Sequence, residues 1–279
     1  MSGTDKPYDT SRPSHCGRLQ LGDALLEALT AAGKDIDNLT PNDLAPFENL
    51  HVRGRAATRD LAQLAGLRRG DRVLHVGCGI GGPARTLAVE YGCLVTGLDI
   101  AESYVEAGRM LNERVGLDDA VSLHVGNALE LSYGDASIDV VWMQHVGMYV
   151  SDKTPLYHEA RRVLRPGGKL AMHEIVDGSV SPPYYPTPWA SDPSTSFLVS
   201  PDRVRETLVK CGLAQVEWQD DTPNSIEWAR KPVEYRGSAG LPDALDALHG
   251  PDYRERIENV RRNLIEGRIE VVQAVYTTA

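Results

Sequence analysis

The segment Val73-Leu74-His75-Val76-Gly77-Cys78-Gly79-Ile80-Gly81-Gly82 runs from apolar residues into a glycine cluster. Glycines allow the backbone to approach a ligand closely, and a helix that starts just after them aims its first amides at the same place. Gly77, Gly79 and Gly82 also satisfy the Gly-x-Gly-x-x-Gly pattern of dinucleotide sites. The glycines therefore predict a nucleotide-like ligand without naming it. Asp99 closes the next apolar run, with Ile100 beside it. It lies roughly 20 residues further on, where an acidic side chain can accept bonds from both ribose hydroxyls. Capping the helix that starts near Ser103 is the structural alternative for Asp99.

Holding these residues in one place requires a sheet. Apolar runs at Val73 to Val76, Leu94 to Leu98, Val121 to Val125, Ile138 to Met143 and Lys169 to Ile175 alternate with helical patterns near Ala84 to Tyr91, Ser103 to Val115 and Thr154 to Leu164. That alternation predicts an α/β fold, a parallel sheet covered by helices on both faces. Helical patterns at Leu19 to Ala32, ending at Gly33, and at Arg55 to Leu64, ending at Gly66, precede the sheet. A helix near Pro201 to Cys211 and strands at Gln215 to Gln219 and Ile269 to Tyr276 follow it, with a mostly helical insertion around Leu241 to Leu264. Residues 1–18 read as a polar, mobile tail, and 19–279 as one domain: a helical cap over 19–66, a core over 71–176, and a substrate loop, helical insertion and last strands over 177–279.

The 279 residues are 42% hydrophobic and 24% charged, an ordinary globular composition. No apolar run approaches the roughly 20 residues of a membrane span, and no secretory signal opens the chain, which points to a soluble cytoplasmic protein. A net charge of −10 with no basic stripe argues against nucleic acid as a partner. The four cysteines, at 16, 78, 93 and 211, show neither zinc-site spacing nor disulfide density and read as isolated, mostly buried thiols. No cluster has metal-ligand spacing.

Further motifs narrow the ligand. Gly126-Asn127-Ala128-Leu129 follows the third strand, Ser137-Ile138-Asp139-Val140-Val141-Trp142 makes the fourth, and Arg161-Arg162-Val163-Leu164-Arg165-Pro166-Gly167-Gly168-Lys169-Leu170 leads into the fifth. This ordered set, over roughly Leu44 to Leu213, resembles the class I S-adenosylmethionine-dependent methyltransferases. The resemblance implies a Rossmann-like sheet of seven strands whose last strand is antiparallel. It implies S-adenosylmethionine as cofactor and S-adenosylhomocysteine as product. The cofactor would lie across Gly77, Cys78, Gly79 and Gly81, with Asp99 on ribose, Asn127 and Ala128 by adenine, and Ile100 and Gln144 also in contact with it.

Within that family, His51-Val52-Arg53-Gly54-Arg55-Ala56-Ala57-Thr58 resembles the His-x-x-Gly-Arg-x-x-Thr stretch of bacterial enzymes similar to sarcosine and dimethylglycine N-methyltransferases, relatives of which modify specialised metabolites. The likeness implies that Arg55 reaches the methionine carboxylate, which guanidinium geometry suits. Two positions depart from the family pattern. His75 stands where an acidic residue usually precedes the glycines, as a neutral acceptor or a repelling cation. Asn127 stands where Asp usually faces adenine, and it keeps a carbonyl acceptor.

Methyl transfer needs oriented reactants more than reactive side chains, but a hydroxyl or protonated amine must still lose its proton. His145, at the end of the fourth strand with Tyr149 close by, is the expected base or acceptor anchor. Glu174, at the end of the fifth strand, is expected to pair with a cationic amine, with His173 beside it at the substrate. The loop Pro182 to Trp189 is expected to close over the acceptor with the faces of Tyr184, Tyr185 and Trp189. The first expectation is N-methylation of a small amine or amino-acid-like compound; O- or C-methylation of a specialised metabolite uses the same scaffold. Two other classes stay open: an NAD-dependent oxidoreductase, resting on Gly77, Gly79, Gly82 and Asp99 alone, and a binding module that has lost catalysis, motivated by His75 and Asn127. The oligomeric state is open, a homodimer included.

Overall fold

The computed structural model describes residues 18–48, 51–231 and 252–278. Within them the chain folds as α1 (Arg18–Ala31), α2 (Pro41–Glu48), α3 (Arg55–Ala65), β1 (Arg72–Val76), α4 (Gly82–Tyr91), β2 (Leu94–Asp99), α5 (Glu102–Arg114), β3 (Val121–Val125) and β4 (Ile138–Gln144). It continues as α6 (Lys153–Val163), β5 (Leu164–Asp177), α7 (Pro201–Lys210), β6 (Ala214–Asp220), α8 (Thr222–Arg230), α9 (Tyr253–Ile265) and β7 (Ile269–Thr277). The strands form one sheet in the order β3-β2-β1-β4-β5-β7-β6. β7 is antiparallel to both β5 and β6, and the other pairings are parallel. The Rossmann-like seven-stranded expectation holds, antiparallel last strand included.

Strand periodicity sorts the core into two layers. Leu74, Val76, Val141, Met143 and Met172 pack against Leu156 and Tyr157 of α6 and Leu208 of α7. Val73, Val95, Val140, Trp142 and Ala171 face α3 and α4 through Leu61, Ala65 and Leu87. α3 stops at Gly66 and α4 at Gly92, both in the left-handed conformation that ends a helix without Cβ strain. Outside these layers, α1 packs on α5 through Leu21, Leu25 and Leu111, and Tyr253 of α9 joins the same cluster.

Three details differ from the sequence reading. α1 starts at Arg18, inside the stretch read as tail, and residues 1–17, with Cys16, lie outside the described residues. The helical insertion is described only as α9, because 232–251 also lie outside them. The Arg165-Pro166-Gly167-Gly168 turn is absorbed into β5 as an irregularity: Ile138 pairs with Leu164, but Val140 pairs with Lys169. α2 carries an internal proline and α8 opens on Thr222-Pro223, so neither gave a clean helical period. Among the described residues no helix is long and apolar enough to cross a membrane.

Candidate active site

The carboxyl ends of β1, β2 and β4 meet at a rim that carries Gly77, Asp99 and His145. Gly77 has φ +70°, and a Cβ there would sit 2.7 Å from Val146 Cγ2, so only glycine lets the loop after β4 close on the loop after β1. Gly79 has φ +53° with open space where a side chain would go. Asp99 accepts from Gly79 N at 2.8 Å and from Ala101 N at 2.9 Å, which ties its carboxylate to the glycine loop and to the start of α5 at once. Ile100 is 49% exposed, and so is Val125 at 48%, which pairs with Asp99 across β2 and β3. An apolar rim beside an acid and a glycine cradle fits a nucleoside. Asn127 Oδ1 accepts from its own turn, at Leu129 N (2.9 Å), and Ala128 is partly buried against the core.

His75 is 1% exposed, and burial drives its pKa down to about 3, so it is neutral at physiological pH. The repelling-cation alternative falls away, and buried Nδ1 is left with no partner. Gln144 Oε1 accepts from Trp142 Nε1 (2.8 Å) and Thr58 Oγ1 (3.2 Å), while its buried Nε2 has no partner either. Two orphaned polar atoms near the rim are what a polar ligand would satisfy. Arg55, expected at the methionine carboxylate, donates through its guanidinium to Asn42 Oδ1 (2.8 Å) and Pro41 O (3.1 Å), holding α2 against α3.

Behind the rim three imidazoles cluster. His145 and His173 meet edge to face with ring centroids 4.7 Å apart, and His51 lies 6.0 Å from each. His51 is fixed by Gly54 O at 2.8 Å and Thr58 Oγ1 at 3.2 Å. His145 has φ +58°, a conformation costly for a residue with a Cβ, and its buried Nε2 has no partner. Burial first, then the neighbouring histidines, hold His145 well below the ordinary imidazole range and His51 down at about 3. His173, expected at the substrate, is fully buried, in line with Gln144 across β4 and β5 and against the ring of His145. Among the described residues no group of three acidic, histidine or cysteine side chains is arranged to hold a metal ion.

Several expected acceptor contacts are committed elsewhere. Glu174 is buried beneath the loop after β4, accepting from Val146 N (3.2 Å) and Gly147 N (3.0 Å). Burial raises its pKa to about 7 against the pull of those amides and of Lys153. It supports the loop that presents His145. Tyr149 donates to Pro188 O at 3.4 Å, which links that loop to the 182–190 segment. Tyr184 is stacked between the guanidinium groups of Arg262 and Arg268, 3.6 and 4.2 Å from its ring centroid. Trp189 is 2% exposed and donates to Ser196 Oγ, a core residue and not an aromatic wall. Tyr185 packs at the edge of the same apolar cluster. Asn263, Asn259 and Arg256 of α9 bond the backbone of Tyr184, Pro186 and Thr187, so the loop is strapped to α9.

His51, Arg53 and Thr58 lie in a motif that predicts no role for them, and Asp221 stands in none of the motifs. The clue for the first three was their shared His-x-Arg-x-x-x-x-Thr spacing. Asp221 gave none, since nothing in the sequence brings the end of β6 to His173.

Residues 74–172 match the family described as "Methyltransferase domain". The chain is 41% identical over 43% of its length to 27-O-demethylrifamycin SV methyltransferase of Amycolatopsis mediterranei, of which the match covers 46%. It is 27% identical to sarcosine/dimethylglycine N-methyltransferase of Halorhodospira halochloris, over 70% of this chain and 69% of that one. The match thus spans less than half of the first relative's length. Among solved structures, geranyl diphosphate C-methyltransferase of Streptomyces coelicolor A3(2), in complex with S-adenosyl-L-homocysteine, superposes with a TM-score of 0.66 at 19% identity, covering 98% of this chain and 95% of that one. The match to a family resolves the ambiguity that the glycines left: residues 74–172 are a class I S-adenosylmethionine-dependent methyltransferase domain.

Proposed function

We propose that the protein transfers a methyl group from S-adenosylmethionine to a hydroxyl of a small organic acceptor, with His145 as the base. The observation that carries this reading is the unpartnered, buried Nε2 of His145, on a strained backbone at the mouth of an all-imidazole cluster. Gly77, Gly79 and Asp99 would hold the cofactor, with Ile100 and Val125 against its base and His75 and Gln144 offering polar atoms that nothing else satisfies. Bound there, it supplies an electrophilic sulfonium methyl. The protein's part is to orient the acceptor and to take its proton, which oriented groups do far better than solution. A neutral imidazole is a suitable acceptor for a hydroxyl proton. The carboxylate that would have favoured a cationic amine, Glu174, is spent on two backbone amides.

N-methylation is the second reading, favoured by the broad match to the sarcosine/dimethylglycine enzyme. Labelled-methyl transfer from S-adenosylmethionine, screened against paired hydroxyl and amine acceptors, separates the two. Product carrying a methyl ether supports the first reading. Product carrying only an N-methyl group overturns it.

A further inference from the structure

Behind His145 lies a charge set with no assigned part in the reaction. Asp221, at the end of β6, is 4% exposed, and its Oδ2 lies 3.5 Å from His173 Nε2. The same carboxylate accepts both of its short contacts from Arg53 Nη1, at 2.7 and 2.8 Å, and one from Asn224 Nδ2 at 2.9 Å. Arg53 also bonds Asp60 of α3 at 2.5 Å. One guanidinium thus serves two carboxylates, leaving the set one negative charge in excess when the histidines are neutral. Uptake of a single proton by the neighbouring rings would balance it.

Backbone strain marks the same place. Among the described residues only Arg53, Ala136 and His145 are non-glycine residues with positive φ, and two of the three belong to this set. Strained residues persist where the surroundings over-determine them, and they collect at functional sites. Here the strain on Arg53 aims its side chain at Asp221, and the strain on His145 turns its ring onto His173.

We propose that Asp221, fixed by Arg53, is the counter-charge that lets the His145 and His173 pair take up the acceptor's proton. Asp221 and His173 are positioning residues, acting through His145. In the balanced step the acceptor O–H bond breaks and its electron pair forms the new bond to the methyl carbon, the methyl–sulfur bond of the donor breaks with its pair returning to sulfur to leave S-adenosylhomocysteine, and the proton goes to His145. The abutting pair then carries one positive charge opposite Asp221, until product departure lets the proton leave from His145 to water. The inference rests on the hydroxyl reading above.

The groups facing His173 are His145 from the loop after β4, His51 and Arg53 from the segment before α3, Asp60 from α3 and Asp221 before α8. Arg53 further feels Glu227 of α8, which is paired with Lys231. Burial lowers the pKa of His173, but Asp221 opposes that fall; burial also pushes Asp221 up, and the nearby His173 ring with the bonds from Arg53 and Asn224 outweighs it and holds it low.

The test follows the ring nitrogens by NMR in 15N-labelled full-length protein, free and saturated with S-adenosylhomocysteine, from about pH 8 to about pH 5. His173 should be the first ring of the three to gain its second proton. Asp221→Asn should lower its midpoint by about one unit or more. Asp60→Asn, which changes the same guanidinium network without removing the partner of His173, should move it by less than half as much. Protonation of His51 or His145 first, no protonation of His173 in this range, or equal shifts in the two variants would overturn the proposal. If Asp221→Asn does not fold, the order of ring protonation in the unaltered protein decides alone. Calorimetry on the same samples keeps the two readings apart: failure to bind S-adenosylhomocysteine sinks the methyltransferase reading, whereas binding with His173 silent sinks only this one.

Discussion

The amide of His145 donates to the carbonyl of His173 at 2.8 Å, so the two imidazoles that meet at the site are also joined through their backbones. The last turn of the β4 ladder therefore sets the position of the base. A side chain held this way loses little freedom when an acceptor arrives, which is how positioning lowers a barrier.

Replacing the base while respecting its backbone is the cleanest test of the reaction. Asn tolerates the left-handed region better than most residues, so His145→Asn should fold. Methyl transfer should fall about 10²- to 10⁴-fold in kcat, with affinity for S-adenosylhomocysteine unchanged within error. Radiolabel transfer and calorimetry on one preparation measure both, and an unchanged kcat would remove His145 from the mechanism.

Glu174 predicts an unusual pH dependence of stability. Its folded pKa, about 7, lies above the ordinary 4.5 because burial disfavours the charged form. The folded state then keeps a proton that the unfolded chain has already lost, so stability falls as pH rises from 4.5 through about 7. The gap corresponds to about 3 kcal/mol at most. Glu174→Gln, which resembles the protonated acid, should match the unaltered protein near pH 5 and exceed it near pH 8 in urea unfolding. Parallel curves at both pH values would show that the carboxyl is charged throughout.

Two glycines in one loop should respond differently to alanine. At Gly77 the new methyl meets Val146 and the backbone is left-handed, so Gly77→Ala should cost several kcal/mol and disturb the His145 loop. At Gly79 the space is open, so Gly79→Ala should cost only about 1 to 2 kcal/mol of stability while weakening S-adenosylhomocysteine binding about tenfold or more. Thermal melts and calorimetry together read the contrast, which equal losses of binding and stability at both positions would refute.

Asn263 is fully buried and bonds the backbone of Tyr184 in both directions, at 2.7 and 3.0 Å. Asn263→Ala removes both bonds and leaves two backbone groups unsatisfied, a loss of about 2 to 4 kcal/mol. Hydrogen exchange should rise across residues 182–190 and little elsewhere. Unchanged exchange there would mean that the loop is held by Arg256 and Asn259 alone.

Much of this architecture was legible because it rests on local patterns. Val121 to Val125 was read to the residue, and Gly66 marked the end of α3, since alternation and a helix-ending glycine are properties of a few neighbouring residues. The site was less so. Glu174 and Trp189 have the residue types of a binding site, and only the fold reveals that one lies under a loop and the other in an apolar cluster. Tyr184 looked like a wall for a cation because its cations, Arg262 and Arg268, arrive from far along the chain. The pairing of His173 with Asp221 depends in the same way on long-range strand register.

Among the described residues β6 has a single neighbour in the sheet, β7, which follows the other six strands in the chain. Until Ile269 and the residues after it emerge, β5 lacks one flank and β6 has nothing to pair with. Asp221, which follows β6 and donates its amide to Val271 O, cannot be set opposite His173 before then. The carboxylate behind the histidine cluster is therefore set in place only after β7 has been made, and a chain shortened ahead of β7 would leave both β5 and β6 without their shared partner, a risk of aggregation as well as a loss of the site.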